Sequence, residues 1–275
     1  IRKNSSRLAE LIAAERVDII HARSRAPAWG ALHAAQKTGC HFITTFHGAY
    51  GTSGSLKRRY NAVMTKGELV IANSEFTANH IMHTYPMEQK NLRVIRRGVD
   101  ISIYNPGAVT QARVIQLAGQ WRLPDGKSVI MLPGRLTAWK GHRVLLDALT
   151  HLTRDDYVVV FVGDEQGRAE YRHQLERQVE QNDLGHIVRF SGPCRDMPAA
   201  YMSADVVVSA STKPDAFGRV IVEGQAMGRP VVAFDHGGAK ETILGGETGL
   251  LVEPGNAAEL AQALGAALDL GAERR

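Results

Sequence analysis

Residues 205–228 read DVVVSASTKPDAFGRVIVEGQAMG, an apolar run, a polar turn and an amphipathic stretch in immediate succession. Asp205-Val206-Val207-Val208-Ser209 has the composition of a strand buried on both faces, as a parallel sheet requires. Asp215 precedes the Phe217-Gly218 turn that opens a helix over Arg219–Ala226, and Glu223 follows within that helix. Acids before and inside a helix N-terminus can hold a polyhydroxylated ligand from two sides. The backbone N–H groups between them face an anion. A sugar joined to a phosphate satisfies both demands.

The same grammar extends in both directions. Upstream in this block, strands are expected at Ser128–Leu132, Tyr157–Gly163 and Ile187–Ser191, with helices from Gly141 to Leu152, over Ala169–Gln181 and over Pro198–Met202. Downstream come strands Pro230–Phe234 and Gly249–Val252, a short helix at Lys240–Leu244 and a helix over Ala257–Leu268. An earlier block alternates in the same way. Its strands are expected at Val17–His21, His41–Thr45, Leu69–Ala72 and Leu92–Ile95. Its helices are expected over Pro27–Lys37 and Leu56–Lys66, and from a Ser74 cap to His83. Strands alternating with helices predict two doubly wound α/β domains. Arg97-Gly98-Val99-Asp100 breaks the pattern, and 101–107 reads as a crossing, giving domains 1–107 and 108–275.

Composition bounds the answer. The chain has 275 residues, 44% hydrophobic and 22% charged, which is ordinary for a globular protein and excludes disordered or collagen-like classes. Cys40 and Cys194 are its two cysteines, too few and too far apart for a disulfide framework or a zinc site, so a reducing cytosol is the expected compartment. No apolar run is long enough to cross a membrane. The net charge of +5 is concentrated at Lys57-Arg58-Arg59 and at Arg93, Arg96 and Arg97. Such clusters fit a phosphorylated substrate, an anionic lipid surface or a solvated face. Aromatic residues do not interleave with them, so nothing marks a nucleic-acid partner.

Three further constellations carry chemistry. Gly134-Arg135-Leu136-Thr137-Ala138-Trp139-Lys140-Gly141 follows a strand, at the end where ligands of open α/β sheets bind. Arg135 and Lys140 can both reach one pyrophosphate, and GxxxxGK[ST] is absent, so this is not a P-loop. Phe46-His47-Gly48 ends a strand of the first block, where His47 can meet a sugar, or an acceptor, or serve the structure alone. Two glycine-rich turns, 163–167 and 235–238, either line a nucleotide site or only supply tight turns. Ser191-Gly192-Pro193-Cys194-Arg195-Asp196 can hold a base edge.

Together these motifs resemble the family 4 retaining glycosyltransferases over essentially the whole chain, most strongly in 129–252. The acid–x7–Glu signature is matched by Asp215 and Glu223, with Asp where the family usually has Glu. The resemblance implies the GT-B fold, two Rossmann-like domains facing across a cleft, with the N-terminal one incomplete. It implies His47, Arg135, Lys140 and Asp215 as catalytic residues. Gly134, Phe217, Gly218, Arg219, Glu223, Gly163 and Arg195 are then donor-binding. The implied reaction moves a sugar from a nucleotide-diphosphate sugar to a glycan or lipid-linked acceptor. The cations replace a metal and no cofactor is needed. Residues 45–51 and 57–61 look like bacterial members associated with lipopolysaccharide or other surface glycans, which adds an anionic inner membrane surface as a partner. A nucleotide-sugar epimerase, a phosphorylase or a non-catalytic nucleotide-sugar-binding module stand as alternatives. The family's first strand and Gly-rich loop would precede the helix at Asn4–Glu15, and its last helix would follow Arg275. A piece cut at both ends is therefore expected.

Overall fold

The computed structural model describes residues 2–51, 54–167 and 169–270. The chain divides into two compact units, Ile1–Arg97 and Gly98–Arg275. The division falls after Arg97 and not after Gly107. The intervening segment packs with the second unit, where the Tyr104 ring meets Tyr201 edge-on at 6.0 Å.

The first unit runs α1 (Arg2–Glu15), β1 (Ile19–Ala22), α2 (Arg25–Thr38), β2 (His41–Phe46), α3 (Ser55–Asn61), β3 (Leu69–Ala72), α4 (Glu75–Thr84) and β4 (Leu92–Val94). Its strands are parallel and lie in the order β1-β2-β3-β4. Ala9 and Ile12, one helical turn apart on α1, bury themselves against Ala34 of α2. Pro27 is tolerated in the first turn of α2, where its missing N–H has no intrahelical partner to lose. The helix stops at Gly39, left-handed at φ 77°, whose N–H closes on the Ala35 carbonyl. Ser74 caps α4 as expected, its hydroxyl accepting the Thr77 N–H at 3.0 Å.

The helix expected over Leu56–Lys66 is instead α3 followed by a 3-10 turn, Ala62–Thr65. The change comes at Asn61, which is buried and held from both sides. Its Oδ1 accepts from Arg25 at 3.1 Å and its Nδ2 donates to the Gly51 carbonyl at 3.2 Å.

The second unit begins with α5 (Gln111–Trp121), which the sequence reading did not identify. It continues through β5 (Ser128–Pro133), α6 (His142–Leu149), β6 (Tyr157–Val162), α7 (Ala169–Gln181), β7 (Val188–Gly192), α8 (Met197–Ser203) and β8 (Val206–Ser209). It closes with α9 (Arg219–Ala226), β9 (Val231–Phe234), α10 (Ala239–Thr242), β10 (Leu250–Val252) and α11 (Ala257–Leu268). These strands form a parallel six-stranded sheet ordered β10-β9-β8-β5-β6-β7.

Side-chain alternation builds one core on each face. Ile130, Leu132, Val159, Phe161, Val206 and Val208 meet Leu145 of α6, Leu175 of α7 and Leu260 of α11. Their neighbours Val129, Met131, Val158, Val160 and Val207 meet Leu117 and Trp121 of α5, Tyr201 of α8 and Ile221 of α9. Near-continuous apolar strands are required because neither face is left to water.

Strand order fixes the place of the site. The chain starts at β5, winds outward to β7, then returns to β8 on the other side of β5. The loops leaving β5 and β8 therefore diverge from a topological switch point, where open α/β sheets leave a crevice. There the backbone of Gly141, at φ 79°, lies so close to Ala210 that a Cβ would fall 1.7 Å from its carbonyl oxygen. The Thr212 N–H also donates to the Trp139 carbonyl at 2.8 Å. Gly141→Ala must move one loop off the other as well as strain its own φ. A loss of at least about 1–3 kcal/mol, the cost of the strain alone, is expected in urea denaturation.

Candidate functional site

The β5 loop brings Lys140 to the switch point, and the β8 loop brings Ser211 and Asp215. Lys140 Nζ donates to both Asp215 oxygens, at 2.8 and 3.2 Å, and lies 3.4 Å from Ser211 Oγ. Ser211 Oγ donates to Asp215 Oδ2 at 2.8 Å. The ammonium also sits 4.2 Å from the centre of the Trp139 ring, where the π face favours a cation. The Lys140 and Asp215 side chains are only 16% and 23% exposed. This ion pair is largely buried, distinct from the solvated contacts typical of a surface. Behind it His142 is fully buried, edge-on to Phe161. Burial, and then the Lys140 charge, push its pKa down to about 4, so it adds no second cation.

Each loop has a buttress made by one of the glycine-rich turns. Gly163 lies against the Gly134 carbonyl, 1.9 Å from where its Cβ would stand, and the Leu136 N–H donates to the Asp164 carbonyl at 3.0 Å. Arg135, exposed, donates to Gln166 Oε1 at 3.3 Å. On the other side the Gly238 N–H donates to the Asp215 carbonyl at 2.8 Å, and a Cβ on Gly238 would fall 2.4 Å from Phe217 Cα. His236 Nε2 donates to the Ser211 carbonyl at 2.7 Å. Beyond the two roles read from the sequence, lining a nucleotide site or supplying tight turns, the hydrogen bonds show these turns supporting the motif loops.

The Phe217-Gly218-Arg219 turn opens α9. The Phe217 ring is buried, so the residue offers its backbone, and Gly218 takes the left-handed N-cap position at φ 84°. Arg219 points outward one turn before Glu223. Glu223 is half-buried and accepts a hydrogen bond from Tyr201 Oη at 2.8 Å. Burial raises its pKa, while the Tyr201 bond and the Arg219 charge work against that rise. Arg195 is exposed on the loop after β7. It lines a cavity of about 400 Å³ with Gln116, Trp121 and Cys194, where Arg113 grips Asp196 through two bonds of 2.8 and 2.6 Å. No hydrogen bond or ion pair among the described residues joins Arg195 to Lys140, Asp215 or Glu223.

His47 lies in the first unit, within a group of its own. Arg23 Nε donates to His47 Nε2 at 3.1 Å, which makes Nδ1 the protonated nitrogen of the neutral ring. His21 shares a 2.7 Å hydrogen bond with Thr45 Oγ1 close by. Burial first, then Arg97, Arg23 and His21, lower the His47 pKa. The basic residues sort differently from their sequence clusters. Arg96 pairs with Glu75 at 3.0 Å, and Arg93 donates to the Lys90 and Leu92 carbonyls. Lys57, Arg58 and Arg59 remain exposed on α3 beside Leu56, itself 82% exposed.

Tyr201, Ser211 and Arg23 were not singled out from the sequence. Ser211 was within reach, as the first polar residue past a buried strand that ends at the ligand side. Tyr201 stands among alanines and methionines on an apolar stretch, where its ring reads as core and its hydroxyl has no visible purpose.

An ammonium beside a carboxylate at the switch point of a doubly wound sheet can meet an anion and hydroxyls together, the needs of the class of protein that handles sugar phosphates. The comparisons agree with that class. The glycosyl transferases group 1 model matches residues 115–275, and the glycosyltransferase family 4 model matches residues 1–103. The chain belongs to the group 1 glycosyl transferases. It is 31% identical over 218 residues to D-inositol 3-phosphate glycosyltransferase 1 of Catenulispora acidiphila, covering 76% of this chain and 51% of that protein. A solved glycosyltransferase from Rickettsia africae superposes with a TM-score of 0.90 at 37% identity, covering 98% of this chain and 71% of the other. Anabaena HepE, solved in complex with UDP and glucose, gives 0.85 at 28% identity, over 96% and 72% of the two chains. The fold class is GT-B, as the resemblance implied. The chain spans about half the length of the inositol-phosphate glycosyltransferases it matches.

Histidine NMR titration is expected to place the His47 midpoint below the ordinary histidine value. Arg23→Ala is expected to raise it, because a nearby positive charge is removed and the ring is better hydrated. A midpoint indifferent to Arg23→Ala would show that the guanidinium does not act on the ring.

Proposed function

We propose that the protein to which this chain belongs transfers a hexosyl group from a nucleoside diphosphate sugar to a hydroxyl of a glycan or lipid-linked acceptor. The transfer retains the anomeric configuration and serves lipopolysaccharide or other surface-polysaccharide assembly. The observation that carries this reading is the joining of Lys140 to Asp215 and Ser211 across the switch point. It sets a cation for phosphate beside an acid for sugar hydroxyls, each on a loop with its own buttress. The binding of UDP and UDP-glucose by HepE supports a sugar-nucleotide donor of this kind.

In the reaction the acceptor hydroxyl oxygen attacks the anomeric carbon on the face from which the diphosphate departs. The bond from that carbon to the phosphate oxygen breaks. The acceptor's proton passes to the departing phosphate, and a nucleoside diphosphate leaves. Arg135, Lys140 and the N-terminal N–H groups of α9 meet the charge that grows on the diphosphate, without a metal. Gly134 and Gly163 let the loop backbone approach the phosphates. Glu223 takes ribose hydroxyls, Arg195 lies at the base and His47 touches the transferred sugar. Catalysis by fixed cations carries no requirement for a divalent ion.

The exposed α3, with Leu56 and Tyr60 beside Lys57, Arg58 and Arg59, supports docking on an anionic membrane surface.

Lys140→Ala and Arg135→Ala are each expected to lower kcat about 10²–10³-fold for release of nucleoside diphosphate from a sugar-nucleotide panel. EDTA is expected to leave the wild-type rate unchanged. A near-wild-type rate in either variant removes the charge-stabilising role, and inactivation by EDTA removes the metal-free scheme. In flotation, recovery with phosphatidylglycerol vesicles is expected to exceed recovery with phosphatidylcholine and to fall when Lys57, Arg58 and Arg59 are replaced by Gln. Equal recovery rejects the membrane partner.

A further inference from the structure

Tyr201 has no exposed surface, yet it carries a hydroxyl that a phenylalanine would spare the core. Among the described residues that hydroxyl has one hydrogen-bond partner, Glu223 Oε2, at 2.8 Å. Its setting is rigid. Asp196 caps α8 by accepting the Ala199 N–H at 3.1 Å, and the same carboxylate is gripped twice by Arg113 of α5. The phenol is therefore carried on a helix clamped at its start, with Tyr104 packed on its edge. Glu223 sits one helix away on α9, with Oε2 committed to the phenol. No hydrogen bond to Oε1 is found among the described residues.

We propose that Tyr201 is a positioning residue for the sugar nucleotide: its hydroxyl takes one oxygen of Glu223, so that the other is presented in a fixed orientation to the vicinal hydroxyls of the ribose. The inference rests on the reading that Glu223 meets the ribose. A carboxylate free to rotate about its side-chain torsions offers two equivalent oxygens and loses that freedom on binding. One already anchored has less to lose. The anchor also favours the charged form, which accepts from a diol and which burial alone disfavours. The groups facing this carboxyl are Tyr201 from α8, Tyr104 from the segment before α5 and Arg219 from α9 itself.

The test is calorimetric binding of UDP and GDP to the chain. Whichever binds more tightly is then compared with its 2′,3′-dideoxy analogue in wild type, Tyr201→Phe and Glu223→Gln, from pH 5 to 8. Circular dichroism and thermal melts confirm that each variant is folded. Tyr201→Phe is expected to weaken the ribonucleotide about tenfold at pH 7, as loss of a hydrogen bond to a charged group does. It is also expected to shrink the preference for ribose over dideoxyribose. Binding that depends on the carboxylate is lost as pH falls through the Glu223 pKa. Removing Tyr201's hydroxyl raises that pKa, so the acid limb moves to higher pH. A purely structural tyrosine would lower the melting temperature and leave both the preference and the limb in place. That result, with Glu223→Gln losing the preference, overturns the role of Tyr201. A Glu223→Gln variant that keeps the full preference overturns the ribose reading and this inference with it.

Discussion

The close approach of two loops at the β5–β8 switch point is the constraint on which the second unit's chemistry depends. Gly141 lies against the Ala210 carbonyl with no room for a side chain. That backbone contact sets the distance at which Lys140 meets Asp215. The approach is possible only because β5 and β8 are neighbours in the sheet while their following helices leave on opposite faces. Continuous apolar strands make the sheet, the sheet order makes the crevice, and the crevice decides which residue types can face one another.

Behind this first layer the structure repeats one device. Each loop that carries a charged side chain is held by a glycine turn from the adjacent strand end, the 163–167 turn under the β5 loop and the 235–238 turn under the β8 loop. Backbone hydrogen bonds and close approach do most of the holding, which leaves the side chains of Lys140 and Asp215 to meet each other. In the first unit Arg23 does comparable work for His47, fixing the ring by its Nε2 and leaving Nδ1 as the protonated nitrogen.

Much of this was legible in the residues. The strands of the second unit read directly because burial on both faces leaves an almost unbroken apolar run, valine above all, as in Val206–Ser209 and Tyr157–Val162. The motif loops read because they follow those runs. Other features were not legible, for physical reasons. Helix α5 was passed over because its buried Leu117 and Trp121 stand among glutamines, Arg113 and Gly119, which blur the apolar stripe of a helix. The work of the 163–167 and 235–238 turns is done by backbone bonds to the loops beside them, and the meeting of those loops rests on β8 lying beside β5, which sequence order does not state. The Tyr201 bond to Glu223 joins residues of separate helices, so neither helix announces it. The break at Asn61 follows from a side-chain bond to Gly51 and Arg25, which no local propensity encodes.

The pairing of Lys140 with Asp215 also bears on what the crevice would hold weakly. An ammonium already neutralised by a carboxylate has a weakened pull on inorganic phosphate or on a polyanion drifting past. Separating the pair exposes two half-desolvated charges at once. Only a molecule that brings an anion for one and alcohols for the other can satisfy both. A sugar nucleotide of the kind proposed would bring both, so opening the pair would cost it least.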